Sequence, residues 1–399
     1  MIQKFRFLKK SFSIFEKKIF MEAFTAYNPT KLFFGKQSIV NLSKLLPRIG
    51  QKALVVFGGK SAKANGAYAD VIAQLENAHI GFVEFWGIKP NPRVEDVREA
   101  IVLGITEKVD MVIAVGGGSV IDSAKIIALC IPKNNDPWNV MKGKEKPTYA
   151  LPIIAVLTLA ATGSEMNPFA VLQNNQTNEK LGFGSPFTFP TISICDPTYT
   201  LTVSKDYTAY GLADIVAHLL EAYFGDGNAP LSDRFVISVL KEVSQLAEPL
   251  LSDLQNYELR ERMMWASTCA LNGITFHGRK SGDWGVHDVA HHLSVLYDVP
   301  HGASLSVVYP AWLKLHSRKL NHRIAWLGKE WWGVKTTSKT IEQIERFFQA
   351  INCPTRLNDL KLDVNQQKTF ELLLIKNKPT GMIHRLTKAQ LRKMVYYMQ

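Results

Sequence analysis

The sequence predicts an α/β domain built on a parallel sheet, followed by an all-helical domain, and three observations support this prediction. Segments typical of strands and of helices alternate over residues 50–200, which is the pattern of a parallel sheet covered by helices. After Asp196-Pro197 strand signals become rare, and amphipathic stretches with helical spacing follow. The chain has 399 residues, 46% of them hydrophobic, which suffices for two cores.

The α/β half contains four short runs rich in apolar and β-branched residues. Each run is predicted to form a buried strand: ALVVFG (53–58), IGFVEF (80–85), MVIAV (111–115) and PIIAVLT (152–158). NPRVEDVREAIVLGI follows the second run as a predicted helix, with Asn91 suited to cap it and Pro92 suited to its first turn. No low-complexity linker separates the halves, so the domains are expected to abut, and a cleft between domains is a common ligand site.

The charge distribution sets a short leader, residues 1–20, apart from the rest of the chain. The change of pattern after Asp196-Pro197 gives two predicted domains, residues 21–199 and 200–399. Residues 1–20 carry six Lys/Arg against Glu16 and so supply +5 of the net charge of +12. We expect this leader to be a basic extension outside the fold, with an organelle presequence as the alternative. The other +7 forms no sustained basic block, which disfavours nucleic-acid binding.

Two further features bear on where the protein works. The four cysteines are scattered without a C-x-x-C pair, which favours a reduced cytoplasmic protein over a disulfide scaffold. No stretch reaches the roughly 18 apolar residues that a membrane span requires.

The stretch MVIAVGGGSVID (111–122) runs from a predicted strand through three glycines into a helix start. Backbone N–H groups at such a helix start bind phosphate, and glycine lets the ligand approach the main chain. Gly117, Gly118 and Ser119 are therefore candidates for binding a pyrophosphate. The alternative is an ordinary capping box between Ser119 and Asp122.

A second glycine turn, VVFGGKSAK (55–63), contains Gly58, Gly59, Lys60 and Ser61. An acidic residue beyond such a strand commonly holds the ribose of NAD, whereas NADP sites replace it with a cation. The absence of an acid and the presence of Lys60 predict a preference for NADP(H). Lys60 as a solvated surface lysine is the alternative.

The helical half carries a possible metal site. GLADIVAHLLE places Asp214 and His218 four residues apart on one helix face, and residues 282–305 contain four of the ten histidines. Helical spacing there pairs His287 with His291. Imidazole and carboxylate are common ligands of iron and zinc, while a histidine-rich surface helix is the alternative.

The chain resembles the iron-containing, or group III, alcohol dehydrogenases, particularly their butanol dehydrogenase and NADPH-dependent aldehyde reductase branch. The likeness runs from about residue 21 to the C-terminus. The motifs that carry it are MEAFTAYNPTKLFFGK, PNPRVEDV, GGGSVID, LTLAATGSEMN, DPTYTLT, GLADIVAHLLEAYF and GDWGVHDVAHHLSVLYDVPHGASL. The resemblance implies a Rossmann-like dinucleotide-binding domain, then an all-α metal-binding domain, in the architecture of dehydroquinate synthase.

The resemblance also implies roles for individual residues. The metal ligands would be Asp214, His218, His287 and His301, which replaces the His287–His291 pairing. His291 would pass a proton to or from the bound oxygen, and His292 would be structural or exposed. The implied cofactor residues, beyond the GGKS turn, are Asn91, Gly117, Gly118, Ser119, Asp122, Thr158, Thr162, Lys180, Tyr199 and Thr202.

The activity implied is hydride transfer between NADP(H) and a primary alcohol or aldehyde such as butanol or butanal, with one divalent metal, Fe²⁺ or Zn²⁺, in a homodimer. The pocket is expected to be partly apolar, with Trp284, Phe276 and Met166 as candidates for its walls. One alternative is a dehydroquinate synthase-like lyase or a glycerol dehydrogenase-like enzyme that acts on a polyol or sugar-derived substrate. The other is a nucleic-acid-binding protein, motivated by the basic composition.

Overall fold

The computed structural model describes residues 21–399, so the predicted extension at 1–20 lies outside the described residues. The strands are β1 (Lys31–Phe34), β2 (Lys52–Phe57), β3 (Gly81–Phe85), β4 (Met111–Gly116), β5 (Ile153–Leu157), β6 (Phe169–Asn174), β7 (Glu179–Gly184) and β8 (Ile192–Cys195). The helices of the first half are α1 (Leu42–Leu45), α2 (Ser61–Ala64), α3 (Ala67–Asn77), α4 (Val94–Thr106), α5 (Gly118–Cys130) and α6 (Pro137–Met141). Those of the second half are α7 (Lys205–Tyr223), α8 (Pro230–Ser252), α9 (Tyr257–Leu271), α10 (Gly285–Tyr297), α11 (His301–His316), α12 (Asn321–Trp332), α13 (Thr337–Ala350), α14 (Val364–Asn377) and α15 (Lys388–Met398).

Six of the strands form one parallel sheet in the order β1-β8-β5-β4-β2-β3. The four predicted strands are β2 to β5, with ends that differ by at most one residue. Strands β4 and β5 are buried along their whole length, which explains their continuous apolar runs because helices cover both faces of a parallel sheet. The predicted α/β fold class with a parallel sheet is confirmed.

Alternate residues of the central strands enter two cores. Leu54, Val112 and Ala155 face a core that includes residues of α4 and α5. Val55 and Ile113 face a smaller core that includes residues of α1 and α3. Because successive side chains of a strand point to opposite faces of the sheet, alternate residues pack against different helical layers.

Four strands of the first half, β1, β6, β7 and β8, escaped the sequence prediction. Strands β6 and β7 form a separate antiparallel hairpin, and β1 joins the main sheet beside β8. The predicted cap of α4 is wrong, because the helix starts at Val94 after Arg93. The Asn91 side chain instead bonds to Lys180 and Asp298.

The second half is helical throughout, as predicted. Helix α7 packs against α8, α9 and α11, and α10 packs against α11. A short turn containing Asp298, in the left-handed conformation (φ 52°), joins α10 to α11. Among the described residues, no helix has the length and apolar character needed to cross a membrane. The domain bounds at 199 and 200 stay predictions.

Candidate functional site

A cleft of about 460 Å³ lies at the carboxyl ends of β2, β4 and β5. The strand order reverses between β2 and β4, and ligands of open α/β sheets bind in the crevice at such a switch point. Nine predicted cofactor residues line this cleft: Gly58, Gly59, Ser61, Gly117, Gly118, Ser119, Thr158, Thr162 and Thr202. The structure thus brings both glycine turns to one cleft.

The turn after β4 is tightly packed. A Cβ atom added at Gly118 would lie 2.6 Å from Cγ2 of Thr162 and 3.0 Å from its Cβ. The Asp122 carboxylate accepts hydrogen bonds from the Ser164 hydroxyl (2.6 Å) and from the Val171 N–H (2.9 Å). The capping-box alternative is therefore wrong. The first N–H groups of α5 stay available to a ligand.

Five predicted cofactor residues do not line the cleft: Lys60, Asn91, Asp122, Lys180 and Tyr199. Lys60 is exposed, at the start of the short helix α2. Tyr199 is buried in the core behind the cleft, where its hydroxyl donates to Asp70 (2.7 Å) and its carbonyl accepts from Asn65 (2.9 Å). Asn65 itself lines the cleft, so Tyr199 supports a wall residue. The cofactor roles of Lys60 and Tyr199 stay predictions.

Lys180 and Asn91 form part of a hydrogen-bonded chain between the two halves. Lys180 Nζ donates to Asn91 Oδ1 (2.8 Å), and Asn91 Nδ2 donates to Asp298 Oδ1 (2.7 Å). Burial lowers the pKa of Lys180 to about 8. Lys180 lines a second cavity beside Asp122 and His291, while Asn91 holds the lysine in place.

The second cavity has a volume of about 470 Å³ and lies on the helical side of the cleft. Its apolar walls include Phe169, Leu181, Phe183, Leu271, Trp284 and Met382. Phe276 stacks behind Trp284, with ring centroids 5.8 Å apart, whereas Met166 is not among the described wall residues. The cavity and the cleft share four residues: Pro90, Ser119, Thr162 and His301.

The predicted metal ligands meet at this shared boundary. Asp214 Oδ1 lies 3.6 Å from His218 Nδ1, 3.7 Å from His301 Nε2 and 3.9 Å from His287 Nε2. Asp214, His287 and His301 each offer a ligand atom within 4.8 Å of the other two. The ring of His218 stacks on that of His287 (4.9 Å) and falls outside this set.

The donor set fits a divalent cation. Two ligands that each lie about 2.1 Å from one ion are at most ~4.2 Å apart, and the separations from Asp214 Oδ1 satisfy this limit. Asp214 Oδ1, His218 Nδ1 and His287 Nε2 are buried without a hydrogen-bond partner among the described residues. Such orphaned polar atoms are costly unless a cation satisfies them.

Burial also sets the protonation of the cluster. It lowers the pKa of His218, His291 and His301 well below the usual range, so these imidazoles are neutral and have lone pairs to offer. It raises the pKa of Asp214 to about 7, an effect that His287 and Lys180 oppose. A bound cation would favour the charged carboxylate in the same way.

The two remaining histidines of the 282–305 stretch differ. His291 is buried, its Nε2 has no partner among the described residues, and its ring centroid lies 5.5 Å from that of His301. His291 also lines the second cavity, as a proton-transfer group requires. His292 instead donates from Nδ1 to the carbonyl of Asp288 (2.9 Å), which agrees with the predicted structural role.

Sequence reasoning missed Glu221. Its Oε1 lies 3.1 Å from His287 Nδ1 and its side chain is buried. The signal was present, because Asp214, His218 and Glu221 follow the i, i+4, i+7 spacing of one helical face.

Comparisons with known proteins agree with this architecture. Residues 29–197 match the model of iron-containing alcohol dehydrogenase, and residues 208–390 match the C-terminal model of the same family. The chain is 39% identical to the probable NADH-dependent butanol dehydrogenase 1 of Bacillus subtilis, over 92% of this chain and 97% of the relative. It is 34% identical to the NADPH-dependent aldehyde reductase YqhD of Escherichia coli, over 86% and 90%.

A solved structure, the NADH-dependent butanol dehydrogenase A of Thermotoga maritima, superposes with a TM-score of 0.91 at 35% identity and covers 95% of this chain and 99% of that one. The likeness thus extends over both halves and nearly the full length of the relatives. The chain belongs to the iron-containing alcohol dehydrogenase family.

Proposed function

We propose that this protein is a metal-dependent dehydrogenase that transfers hydride between NADP(H) and a primary alcohol or aldehyde, with butanol and butanal as representative substrates. The observation that carries the proposal is the Asp214–His287–His301 cluster, at the boundary between a glycine-lined cleft and an apolar cavity. The names of the relatives, butanol dehydrogenase and aldehyde reductase, support it.

Asp214, His218, His287 and His301 would hold Fe²⁺ or Zn²⁺, which supplies Lewis-acid polarisation of a carbonyl when bound. A nicotinamide would bind in the cleft on one side of this boundary, and an aldehyde would bind between the apolar walls on the other side. Fe²⁺ and Zn²⁺ both bind carboxylate oxygen and imidazole nitrogen, so the types of ligand present do not distinguish between the two metals.

His291 would move the proton. Its Nε2 atom has no hydrogen-bond partner within residues 21–399 and the ring lines the second cavity, so an N–H there would donate to the substrate oxygen directly or through water. The apolar walls limit the water that reaches the reacting atoms.

The preference for NADP(H) over NAD(H) rests on the GGKS turn. Gly58, Gly59 and Ser61 line the cleft. The turn that they form with Lys60 contains no acidic side chain, and Lys60 is exposed beside them. Relatives of both kinds occur, since some are named NADH-dependent and others NADPH-dependent or NADP-dependent. Lys60→Asp should lower the NADPH-to-NADH ratio of kcat/KM. An unchanged ratio would remove Lys60 from this role.

The decisive experiment measures NADPH and NADH consumption by the metal-depleted protein with butanal, before and after Fe²⁺ or Zn²⁺ is added. Metal-dependent consumption, faster with NADPH, is expected. A lyase of the dehydroquinate synthase type would show no net turnover of the nucleotide. That alternative requires cations for a phosphorylated substrate, and Lys180 is the one lysine or arginine among the described walls of the cavity.

The assembly proposed is a cytoplasmic homodimer. Strand β1 is an edge of the sheet, and the nearby segment exposes Phe24, Tyr27 and Val40. Unpaired edges and exposed apolar side chains favour association. Light scattering of the purified protein tests this assembly, and a mass of 44.8 kDa, that of one chain, would refute it.

A further inference from the structure

Glu221 occupies an unusual position between the metal cluster and the wall of the second cavity. Its Oε1 accepts hydrogen bonds from the backbone N–H groups of Val286 (3.1 Å) and His287 (3.2 Å). Its Oε2 accepts one from the N–H of Trp284 (2.6 Å). With the His287 ring, the carboxylate therefore joins helix α7 to the first turn of α10.

This carboxylate is buried, and no lysine or arginine among residues 21–399 forms an ion pair with it. A buried carboxylate is costly unless hydrogen bonds compensate it. The free N–H groups at the start of the 13-residue helix α10 provide that compensation, aided by the positive end of the helix dipole. Glu221 is therefore a hydrogen-bonded link between helices α7 and α10 rather than an isolated buried charge.

One consequence concerns His287. Since Glu221 Oε1 already accepts hydrogen bonds from two backbone N–H groups, His287 Nδ1 acts as the donor in this pair. The lone pair is then on Nε2, the atom that faces Asp214 Oδ1 at 3.9 Å. Such a contact fixes the orientation of a ligating imidazole and increases its basicity.

The other consequence concerns Trp284. This residue is left-handed (φ 63°), a conformation that bulky side chains rarely adopt. The hydrogen bond from its N–H to Glu221 Oε2 holds it there. The indole then packs against His287 (5.3 Å between centroids) as a wall of the second cavity.

We propose that Glu221 is a positioning residue that orients His287 toward the metal and, through the Trp284 backbone, fixes the adjoining wall of the cavity. This inference rests on the proposed metal site. According to this inference, one carboxylate orients both a metal ligand and a wall of the cavity that would contact the substrate.

The test compares Glu221→Gln and Glu221→Ala with wild type. Glutamine keeps the shape of the side chain but replaces one acceptor oxygen with an NH₂ group. This NH₂ group would face either the N–H of Trp284 or the N–H groups of His287. Both contacting groups would then be donors, and the hydrogen bonds at that position would be lost. A matched control is Glu165→Gln, because Glu165 is equally buried and accepts a hydrogen bond from Thr268 (2.6 Å) away from the cluster.

The readout is the dissociation constant for Zn²⁺, measured by chelator competition on each metal-depleted protein, together with the unfolding free energy of the same metal-free samples. We expect about tenfold weaker binding for Glu221→Gln and ~100-fold for Glu221→Ala, with Glu165→Gln within a factor of two of wild type. The visible spectrum of the Co²⁺-loaded Glu221→Gln protein should also change, since it reports ligand geometry.

The outcomes separate the two proposals. If wild type binds no Zn²⁺, the proposed metal site fails. If wild type binds Zn²⁺ and Glu221→Gln binds it equally well with an unchanged Co²⁺ spectrum, the positioning role is refuted. A fall in the stability of metal-free Glu221→Gln without weaker binding also refutes it, because that result assigns Glu221 to helix packing alone. If Glu221→Ala does not fold, Glu221→Gln decides.

Discussion

Gly118 lies where the cleft leaves no room for a side chain, so Gly118→Ala is a direct test of the glycine turn. The added methyl carbon would lie 2.6 Å from Thr162 Cγ2 and 3.0 Å from Thr162 Cβ. The Cβ atom of Thr162 is bonded to the main chain, so rotation of the Thr162 side chain does not move it away from the added methyl group. Either the start of α5 or the loop that bears Thr162 must therefore shift.

The expected size follows from this overlap. Overpacking of this kind costs about 1–3 kcal/mol, and the better helix propensity of alanine offsets at most ~1 kcal/mol. A net cost of about 1–2 kcal/mol corresponds to roughly 5- to 30-fold weaker binding of the dinucleotide. The turn bears the cost because its N–H groups must keep their positions to bind pyrophosphate.

The assay is a fluorescence titration of NADPH, with chemical unfolding of the same samples. The control is Gly59→Ala in the same cleft, since a Cβ there meets nothing within 4 Å. Thr162→Ala and the double variant complete a double-mutant cycle. If Gly118→Ala binds NADPH as tightly as Gly59→Ala, or if Thr162→Ala restores nothing in the double variant, the steric argument is wrong.

Three other changes test separate parts of the molecule. Asp233→Ala should lower the unfolding free energy by about 3–5 kcal/mol, because both Arg279 and Arg323 pair with this carboxylate and the Arg279 side chain is buried; a loss below 1 kcal/mol in urea unfolding would contradict this. Burial lowers the pKa of His316 from 6.5 to about 4, so the unfolded chain binds more protons between these values. Through this group, the unfolding free energy of wild type should therefore fall by up to about 3 kcal/mol from pH 6.5 to pH 4. The unfolding free energy of His316→Asn should fall by correspondingly less over the same range. Equal pH dependence of the unfolding free energy in the two proteins would argue against this role of His316. A chelator should lower the melting temperature of wild type but leave that of Asp214→Asn unchanged, since only a folded site binds the ion; a similar shift in both would place the metal elsewhere.

The fold class followed from periodicity because the central strands are apolar on both faces and the later helices are amphipathic. The hairpin β6–β7 escaped because its residues, such as Gln173 and Asn174, are polar, and their burial comes from packing that the sequence does not display. Strand β1 has only four residues, too few for a clear alternation.

The candidate site divided in a similar way. Spacing on one helix brought Asp214 and His218 together, but it paired His287 with His291, because His301 starts the next helix and only the turn at Asp298 brings it back. The family resemblance supplied His301 as a predicted ligand. The hydrogen bond of Tyr199 to Asp70 spans 129 residues of sequence, and no local pattern could predict it.

The cleft and the apolar cavity have Pro90, Ser119, Thr162 and His301 in common, so a dinucleotide in the cleft and an aldehyde in the cavity, as proposed above, would share these walls. We therefore expect their binding free energies to be coupled. If the dinucleotide strengthens aldehyde binding by some factor, the aldehyde must strengthen dinucleotide binding by the same factor. Oxidised and reduced nicotinamide differ in charge and ring planarity, so we expect the two forms of the cofactor to retain the alcohol and the aldehyde to different degrees at this boundary.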